Sequence, residues 1–99
     1  MSPLKRKKLS KIRIELDKLD NSLIKIIKKR TNLVKKVLEL KDKKNQIIDQ
    51  KRINFILSKL NKEAKKRGIP QQLVEKIWKI MITSFIDYEK EIYDSVHKK

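Results

Sequence analysis

The chain has 99 residues, of which 38% are hydrophobic and 40% are charged, and its formal net charge at pH 7 is +16. It contains no cysteine, which excludes a disulfide framework, a thiolate metal site and a thiol nucleophile. One glycine and two prolines are too few for many turns, so the sequence predicts a single domain that is almost entirely helical.

The N-terminal segment, residues 1–8, is basic and is expected to be disordered. It leads into an amphipathic pattern rather than a continuous apolar segment, so we expect neither a signal peptide nor a membrane span. The sequence therefore predicts a cytoplasmic protein.

The first predicted helix runs from about Leu9 to about Leu40, and its apolar residues recur at alternating steps of three and four. This heptad pattern is typical of a helix that packs along a partner helix. Such a helix would be about 45 Å long, whereas a compact domain of this size is only roughly 30 Å across. We therefore expect this apolar seam to pair with a second copy of the chain in a homodimer. The aliphatic seam positions are Leu9, Ile12, Leu16, Leu19, Leu23, Ile26, Leu33, Val37 and Leu40.

Arg30 occupies the remaining seam position, where the pattern predicts an aliphatic residue. A guanidinium in such an interior either forms a buried ion pair or binds an anion from outside the chain. Lys41 follows about three helical turns plus 20° later, so on a continuous helix it would point in the same direction. Arg13 precedes Arg30 by about 25 Å along the axis and by about 100° around it. It can reach the same small ligand only from an antiparallel partner chain.

Two further helices are predicted after a polar link, DKKNQ. Asp49 is expected to cap the second, short helix, which ends near Lys66. Gly68 suits the position after that helix, and Pro70 suits the first turn of a third, medium-length helix. The predicted fold is all-α, with one long, one short and one medium helix doubled by dimerisation.

Several polar residues are predicted to converge in this apolar bundle. On the third helix, Glu89 follows Phe85 by four residues, so a carboxylate faces the apolar side. Together with Arg30, Lys41 and Arg13 of the partner subunit, it describes a pocket for a compact dianion. Alternatively, Arg30 and Glu89 form only a buried ion pair between helices, which would contribute little net stability.

The other polar residues also have simpler interpretations. Asp49 is a helix cap whether or not it lines a site, and Arg13 and Lys41 taken alone would be solvated flank residues. His97 lies in a terminal segment that is expected to fray, and no function is assigned to it.

These residues stand in stretches that resemble the all-helical class of chorismate mutases, the type II family with its isochorismate–pyruvate lyase branch. The similarity covers about residues 9 to 93, and its most specific feature is the spacing of Arg13, Asp20, Arg30 and Lys41. It is carried by IRIELDKLDNSLIKIIKKRTNLVKKVLELK, DQKR, RGIPQQLVEKIW and FIDYE. The resemblance implies an intertwined helical homodimer with two active sites, each completed by the long helix of the other subunit. It also implies an isomerase that rearranges chorismate to prephenate in phenylalanine and tyrosine biosynthesis.

The resemblance implies three catalytic residues, Lys41, Glu89 and Arg30. Arg30 and Arg13 of the partner subunit would hold the two carboxylates of the substrate. Lys41 would donate to its ether oxygen and to a carboxylate. Glu89 falls where the family places a second donor to the ether oxygen.

Around the substrate ring, the resemblance implies Asp49 and Arg52 near the hydroxyl group, but the chain departs from the family pattern at three positions. Ile53 stands where many members have a glutamate that binds the ring hydroxyl. Phe85 stands where a small hydroxyl residue is frequent, and Glu89 where glutamine is common. The lyase branch also carries an apolar residue at the position of Ile53, so an isochorismate–pyruvate lyase, which forms salicylate, is the alternative activity.

No cofactor and no metal are expected, because the rearrangement is pericyclic and involves neither a nucleophile nor a proton transfer. The enzyme needs only to fold the substrate over its ring and to stabilise the charge that grows on the ether oxygen. An ionised Glu89 would repel that oxygen, so Glu89 must be protonated to donate. This predicts that turnover falls as the pH rises through the pKa of Glu89.

The net charge leaves a basic nucleic-acid-binding helical module open as a function of another class. Most of the 28 cationic residues are lysines spread over all the predicted outward faces, the few aromatic residues are mostly placed for packing, and no nucleic-acid-binding motif is recognised. We therefore expect no nucleic-acid partner. A purely structural helical dimer is a third possibility, but it leaves Arg30 and Glu89 unexplained.

Overall fold

The structure, a computed structural model, describes residues 1–98 as three α-helices and one short 3-10 turn. Helix α1 spans Pro3–Glu39, α2 spans Gln50–Lys66 and α3 spans Gln71–His97, and the 3-10 turn, Lys44–Gln46, lies between α1 and α2. Over this described range the chain has no β-strand. The prediction of an all-α fold with one long, one short and one medium helix is confirmed. Within the same range, no helix combines the length and the apolar character needed to cross a lipid bilayer.

Helix α1 begins at Pro3 rather than near Leu9, so most of the segment expected to be disordered is helical. The reason is a local start signal. The backbone N–H of Lys5 donates to the side-chain oxygen of Ser2 at 3.2 Å, and that of Arg6 donates to the Ser2 carbonyl oxygen at 2.9 Å. Serine before a helix followed by proline in its first position is a favourable helix start. The prediction followed apolar periodicity, which begins later, and so missed it.

Helix α1 ends at Glu39, before Lys41. The backbone N–H groups of Leu40 and Lys41 donate to the carbonyl oxygens of Val37 and Leu38 at 3.0 and 3.1 Å, a three-residue spacing that tightens the last turn. The alignment of Arg30 and Lys41 by helical geometry is therefore wrong, because Lys41 is no longer on the helix.

Two compact units follow one another along the chain, one from Met1 to Leu33 and one from Val34 onward. The first unit is a stretch of α1 on which six residues of the predicted apolar seam are between 52% and 64% exposed. The heptad pattern therefore forms an exposed apolar stripe on this unit, interrupted at Arg30. These six residues are Ile12, Leu16, Leu19, Leu23, Ile26 and Leu33.

The second unit has an apolar core formed by the end of α1, the link, α2 and α3. Helix α2 packs against α3. Leu38 at the end of α1 is fully buried, and Ile47, in the link before α2, is 3% exposed. Ala64 of α2 and Val74 and Ile82 of α3 complete this core. The core thus fixes the end of α1, the link and both later helices to one another.

The connection between α2 and α3 depends on Gly68, whose φ of 70° lies in the left-handed region. The N–H groups of Gly68 and Ile69 donate to the carbonyl oxygens of Lys65 and Ala64 at 3.3 and 2.9 Å, which is a Schellman ending. The predicted role of Gly68 is confirmed. Pro70 is the N-cap of α3, one residue before the position predicted for it.

Candidate active site

The centre of the candidate active site is a buried acid beside a half-buried lysine, both in the second unit. Glu89 lies on α3 and is only 7% exposed, and its Oε1 is 3.7 Å from Nζ of Lys41. The same Nζ donates to the carbonyl oxygen of Ile47 at 3.2 Å. The structure therefore brings together the two residues that were predicted to act as donors to the ether oxygen.

The position of Lys41 is set by the link between α1 and α2. Ile47 is buried and holds the link in the core, and its carbonyl oxygen accepts the hydrogen bond from Nζ of Lys41. The 3-10 turn is closed by the side chain of Gln46, whose Oε1 accepts from the backbone N–H of Lys43 at 3.0 Å. The packing of the link thus places one acceptor for the Lys41 ammonium, the Ile47 carbonyl oxygen.

Burial raises the pKa of Glu89 above its ordinary value of 4.5, because desolvation penalises the charged carboxylate. The positive charge of Lys41 and its hydrogen bond lower that pKa but do not cancel the effect of burial. A carboxyl group in these surroundings takes up a proton more readily than an exposed one, and it then carries an O–H donor. This is the property that the predicted role of Glu89 requires.

Asp49 and Arg52 lie at the start of α2, where Asp49 is the N-cap. Its Oδ1 accepts from the backbone N–H of Arg52 at 3.0 Å, so the predicted cap is confirmed. The guanidinium carbon of Arg52 lies 5.3 Å from the ring centroid of Phe55, within reach of a cation–π interaction. Asp49 and Arg52 are both exposed, so they remain open to a ligand.

An open groove of about 460 Å³ runs beside the link and is lined in part by Lys41, Gln46, Asp49 and Lys51. Its volume is in the range of pockets for small molecules. It brings two of the predicted site residues, Lys41 and Asp49, to one surface.

A second groove, of about 340 Å³, lies between α2 and α3 and is lined mainly by apolar side chains such as Trp78. The cation in its lining, Arg67, is 3.2 Å from Glu63. Because that charge is already balanced, this groove is a poor site for a dianion.

The remaining predicted site residues of the second unit, Ile53 and Phe85, are apolar and half-buried. They lie on α2 and α3, the two helices that pack against each other. In the described part of the chain, no group of three or more His, Asp or Glu side chains is arranged to hold a metal ion.

Arg13 and Arg30 both lie on α1, in the first unit. Arg13 is exposed, whereas Arg30 is half-buried and so is more sheltered than its seam neighbours Ile26 and Leu33, which are 59% and 60% exposed. Because α1 is continuous here, the two arginines are about 25 Å apart along its axis. One chain cannot place both on the same small ligand, and their role as carboxylate clamps stays a prediction.

Two residues near the end of α3 were missed from the sequence. Tyr93 donates from its hydroxyl to the carbonyl oxygen of Lys41 at 3.4 Å, and Nε2 of His97 lies 2.9 Å from the carbonyl oxygen of Leu38. The two rings are also stacked, with centroids 4.3 Å apart. The expectation that His97 frays is wrong, since it lies within α3 and is half-buried. The sequence did carry a signal for these two residues. Glu89, Tyr93 and His97 are spaced by four, which places their side chains on one face of the helix.

Comparison with known proteins identifies the family to which this chain belongs. The family model for chorismate mutase type II matches residues 12–90. The chain is 29% identical over 93 residues to the chorismate mutase of Methanocaldococcus jannaschii, covering 93% of this chain and 94% of that protein. It is also 28% identical over 88 residues to the bifunctional chorismate mutase/prephenate dehydratase of Aquifex aeolicus, covering 85% of this chain and 24% of that longer protein. The chain therefore belongs to the chorismate mutase type II family.

Proposed function

We propose that this protein is a chorismate mutase, an isomerase that converts chorismate into prephenate on the way to phenylalanine and tyrosine. The observation that carries the proposal is the pair formed by buried Glu89 and half-buried Lys41 in a chain of this family. The relative from Methanocaldococcus jannaschii is itself named a chorismate mutase and has nearly the same length. The reaction needs no external reactant, since one bond of the substrate breaks while another forms within the same molecule.

Lys41 is proposed to stabilise the negative charge that develops on the ether oxygen. An ammonium group has three N–H donors. Two of them face the Ile47 carbonyl oxygen and the Glu89 carboxyl group, which leaves one for the substrate. The two protein contacts hold the ammonium in place before the substrate arrives, so little reorganisation is needed during the reaction.

Glu89 is proposed to be the second donor to the ether oxygen, in its protonated form. Burial already raises the pKa of this carboxyl group, and a bound dianion would raise that pKa further because it adds negative charge nearby. The protonated oxygen then donates to the ether oxygen, while the other oxygen still accepts from Lys41.

The remaining predicted residues keep the roles that the family resemblance gives them. Arg30 and Arg13 of the partner subunit bind the two carboxylates, since a guanidinium offers paired donors that match a carboxylate. Asp49 and Arg52 lie near the ring hydroxyl.

Part of this proposal is that the protein acts as a homodimer with active sites shared between the chains. The exposed seam on the first unit supports it, because its six aliphatic side chains are each about half exposed. Covering the exposed part of one such side chain would stabilise the dimer by about 1 kcal/mol. The separation of Arg13 and Arg30 along α1 supports it as well, since two chains are needed to bring both to one substrate. The cytoplasmic location predicted from the sequence remains a prediction.

The direct test is to incubate the purified protein separately with chorismate and with isochorismate and to follow the ultraviolet absorbance. We expect chorismate to disappear and prephenate to form, with no salicylate or pyruvate from isochorismate. The family resemblance gives Ile53 the position of a glutamate that binds the ring hydroxyl, so Ile53→Glu, which restores the residue common in the family, should leave chorismate as the preferred substrate. Release of salicylate and pyruvate from isochorismate, without turnover of chorismate, would replace this proposal by the lyase activity.

A further inference from the structure

One face of α3 carries three polar side chains at four-residue intervals. All three contact the turn that ends α1, residues 38–41, which we call the exit turn of α1. Glu89 lies against the ammonium of Lys41, Tyr93 donates to the Lys41 carbonyl oxygen, and His97 contacts the Leu38 carbonyl oxygen. Residues spaced by four lie above one another on a helix. The exit turn that carries Lys41 is therefore held by one stripe on α3, at its side chain and at its backbone.

The contact of His97 can be assigned a direction. A carbonyl oxygen only accepts, so Nε2 of His97 must carry the proton and donate to Leu38 across 2.9 Å. The same Leu38 oxygen also accepts from the Lys41 backbone N–H at 3.1 Å, using its second lone pair. His97 and Lys41 thus meet at one acceptor in a residue that is fully buried, where water cannot replace a lost donor.

Tyr93 completes this arrangement. Its ring stacks against that of His97, with 4.3 Å between centroids and a tilt of 33°, so each ring restricts the orientation of the other. Its hydroxyl donates to the Lys41 carbonyl oxygen at 3.4 Å, a longer and weaker bond than that of His97. The last carbonyl groups of a helix have no partner within the helix, so side-chain donors at this place stabilise its ending.

We propose that Tyr93 and His97 are positioning residues that hold the exit turn of α1 and thereby set the Lys41 ammonium beside Glu89. The positioning of Lys41 does not depend on the proposed function, whereas its expected effect on turnover rests on that function. Neither residue touches the substrate. They act through Lys41, so their loss should lower the stabilisation of the transition state more than the binding of the substrate.

The test compares His97→Phe, which keeps the stacked ring but removes the donor, with His97→Gln, which restores an N–H donor. The first readout does not depend on turnover: carbon-13 NMR titration of the Glu89 carboxyl group. If His97→Phe loosens Lys41, less positive charge stays near Glu89 and its pKa rises, whereas His97→Gln returns the titration toward that of the wild type. A titration unchanged by His97→Phe would overturn the proposal, whatever the substrate of the enzyme.

The second readout is steady-state kinetics with chorismate. We expect His97→Phe to lower kcat by about tenfold with KM changed by less than about twofold, and His97→Gln to recover most of the loss. Tyr93→Phe should have a smaller effect, because the bond that it removes is longer. In a Lys41→Met background the same His97→Phe change should lower kcat little further, because the ammonium group that His97 positions is absent. An undiminished loss in that background would contradict the proposal, while an inactive wild type would contradict the proposed function instead.

Discussion

The unit Met1–Leu33 has no buried apolar side chain, whereas the unit from Val34 onward buries some of its apolar side chains in a core and leaves others exposed. Leu33 is 60% exposed, whereas Leu38, only five residues later on the same helix, is fully buried. Leu38 lies about 140° around the helix from Leu33 and is not a seam residue. The seam residues Val37 and Leu40 of the second unit are 50% and 82% exposed, so the seam is exposed in both units. Leu38 is buried because it lies in the core that α2, α3 and the link form, whereas a helix by itself cannot cover its own apolar face. Local pattern therefore decides which face is apolar, and burial depends on which other elements are in reach.

The polar residues divide in the same way. In the second unit, Lys41 and Glu89 are positioned by contacts within the chain, and the pKa of Glu89 is already raised by burial. In the first unit, Arg13 is exposed on the helix, and its proposed role requires a second copy of the chain. Lys41 and Glu89 are thus arranged by contacts within one chain, whereas the proposed binding of a carboxylate by Arg13 would require a second chain.

The largest expected effect is that of Arg30→Lys in the first unit. Lysine keeps the charge but loses the planar pair of donors, so we expect kcat/KM with chorismate to fall by roughly 1,000-fold while the dimer stays folded. Arg6→Lys, at an exposed position near the start of α1, is the matched control and should have no effect. If Arg30→Lys keeps the wild-type kcat/KM, Arg30 does not clamp a carboxylate.

The exposed seam is tested next by Leu19→Asp. In a dimer, each chain would bury one such carboxylate in the apolar interface. We therefore expect the dimer Kd to rise by at least about 100-fold, measured by sedimentation equilibrium. Asn21→Asp adds the same charge two residues away, off the seam, and should leave the dimer intact. A wild-type chain that is monomeric at all concentrations would remove the proposed assembly altogether.

The donor pair of the second unit is tested by the pH dependence of turnover. Because Glu89 must be protonated to donate, wild-type kcat should fall as the pH rises through its raised pKa, by about tenfold for each unit above it. Glu89→Gln supplies a donor that does not ionise, so its kcat should be flat over the same range. Glu91→Gln, at an exposed position on the same helix, should keep the wild-type profile. A wild-type profile that is already flat from about pH 5 to 9 would remove Glu89 from this role.

The same raised pKa predicts a dependence of stability on pH. The folded state holds the Glu89 proton more tightly than the unfolded state does, so this group contributes fully to stability below the ordinary pKa of 4.5. That contribution is lost as the pH rises from there through the raised pKa of the folded state. Urea unfolding at a series of pH values should therefore show the wild type losing stability relative to Glu89→Gln over this range. A constant difference between the two proteins would contradict the raised pKa.

The smallest expected effect concerns the cap at the start of α2. Asp49→Ala removes the acceptor for the Arg52 N–H and should lower the free energy of unfolding by about 1 kcal/mol, measured by urea unfolding. Asp49→Asn keeps a capping oxygen and should retain most of the stability. If Asp49→Asn nevertheless lowers kcat/KM, the carboxylate acts on the substrate as well as on the helix.

Much of the fold could be predicted because its signals are local. The three helices follow from apolar periodicity, the start of α2 from Asp49 and the end of α2 from Gly68. The start of α1 at Ser2 and Pro3 is also a local signal, although periodicity alone did not indicate it. Apolar periodicity and helical spacing indicated Arg13, Arg30, Lys41 and Glu89 as candidate site residues, and the family resemblance supplied their roles and the other site residues. The sequence offered no means to test the geometry of this site.

The amino-acid sequence by itself determined the helices, their caps and the apolar face of each, because these depend on residues within one or two turns of one another. Tertiary structure decided that α1 ends at Glu39, that Lys41 faces Glu89, and that Tyr93 and His97 contact the end of α1. Those contacts join residues about fifty positions apart, and no periodicity encodes them. The raised pKa of Glu89 has the same origin, since it follows from the packing that removes this carboxyl group from water.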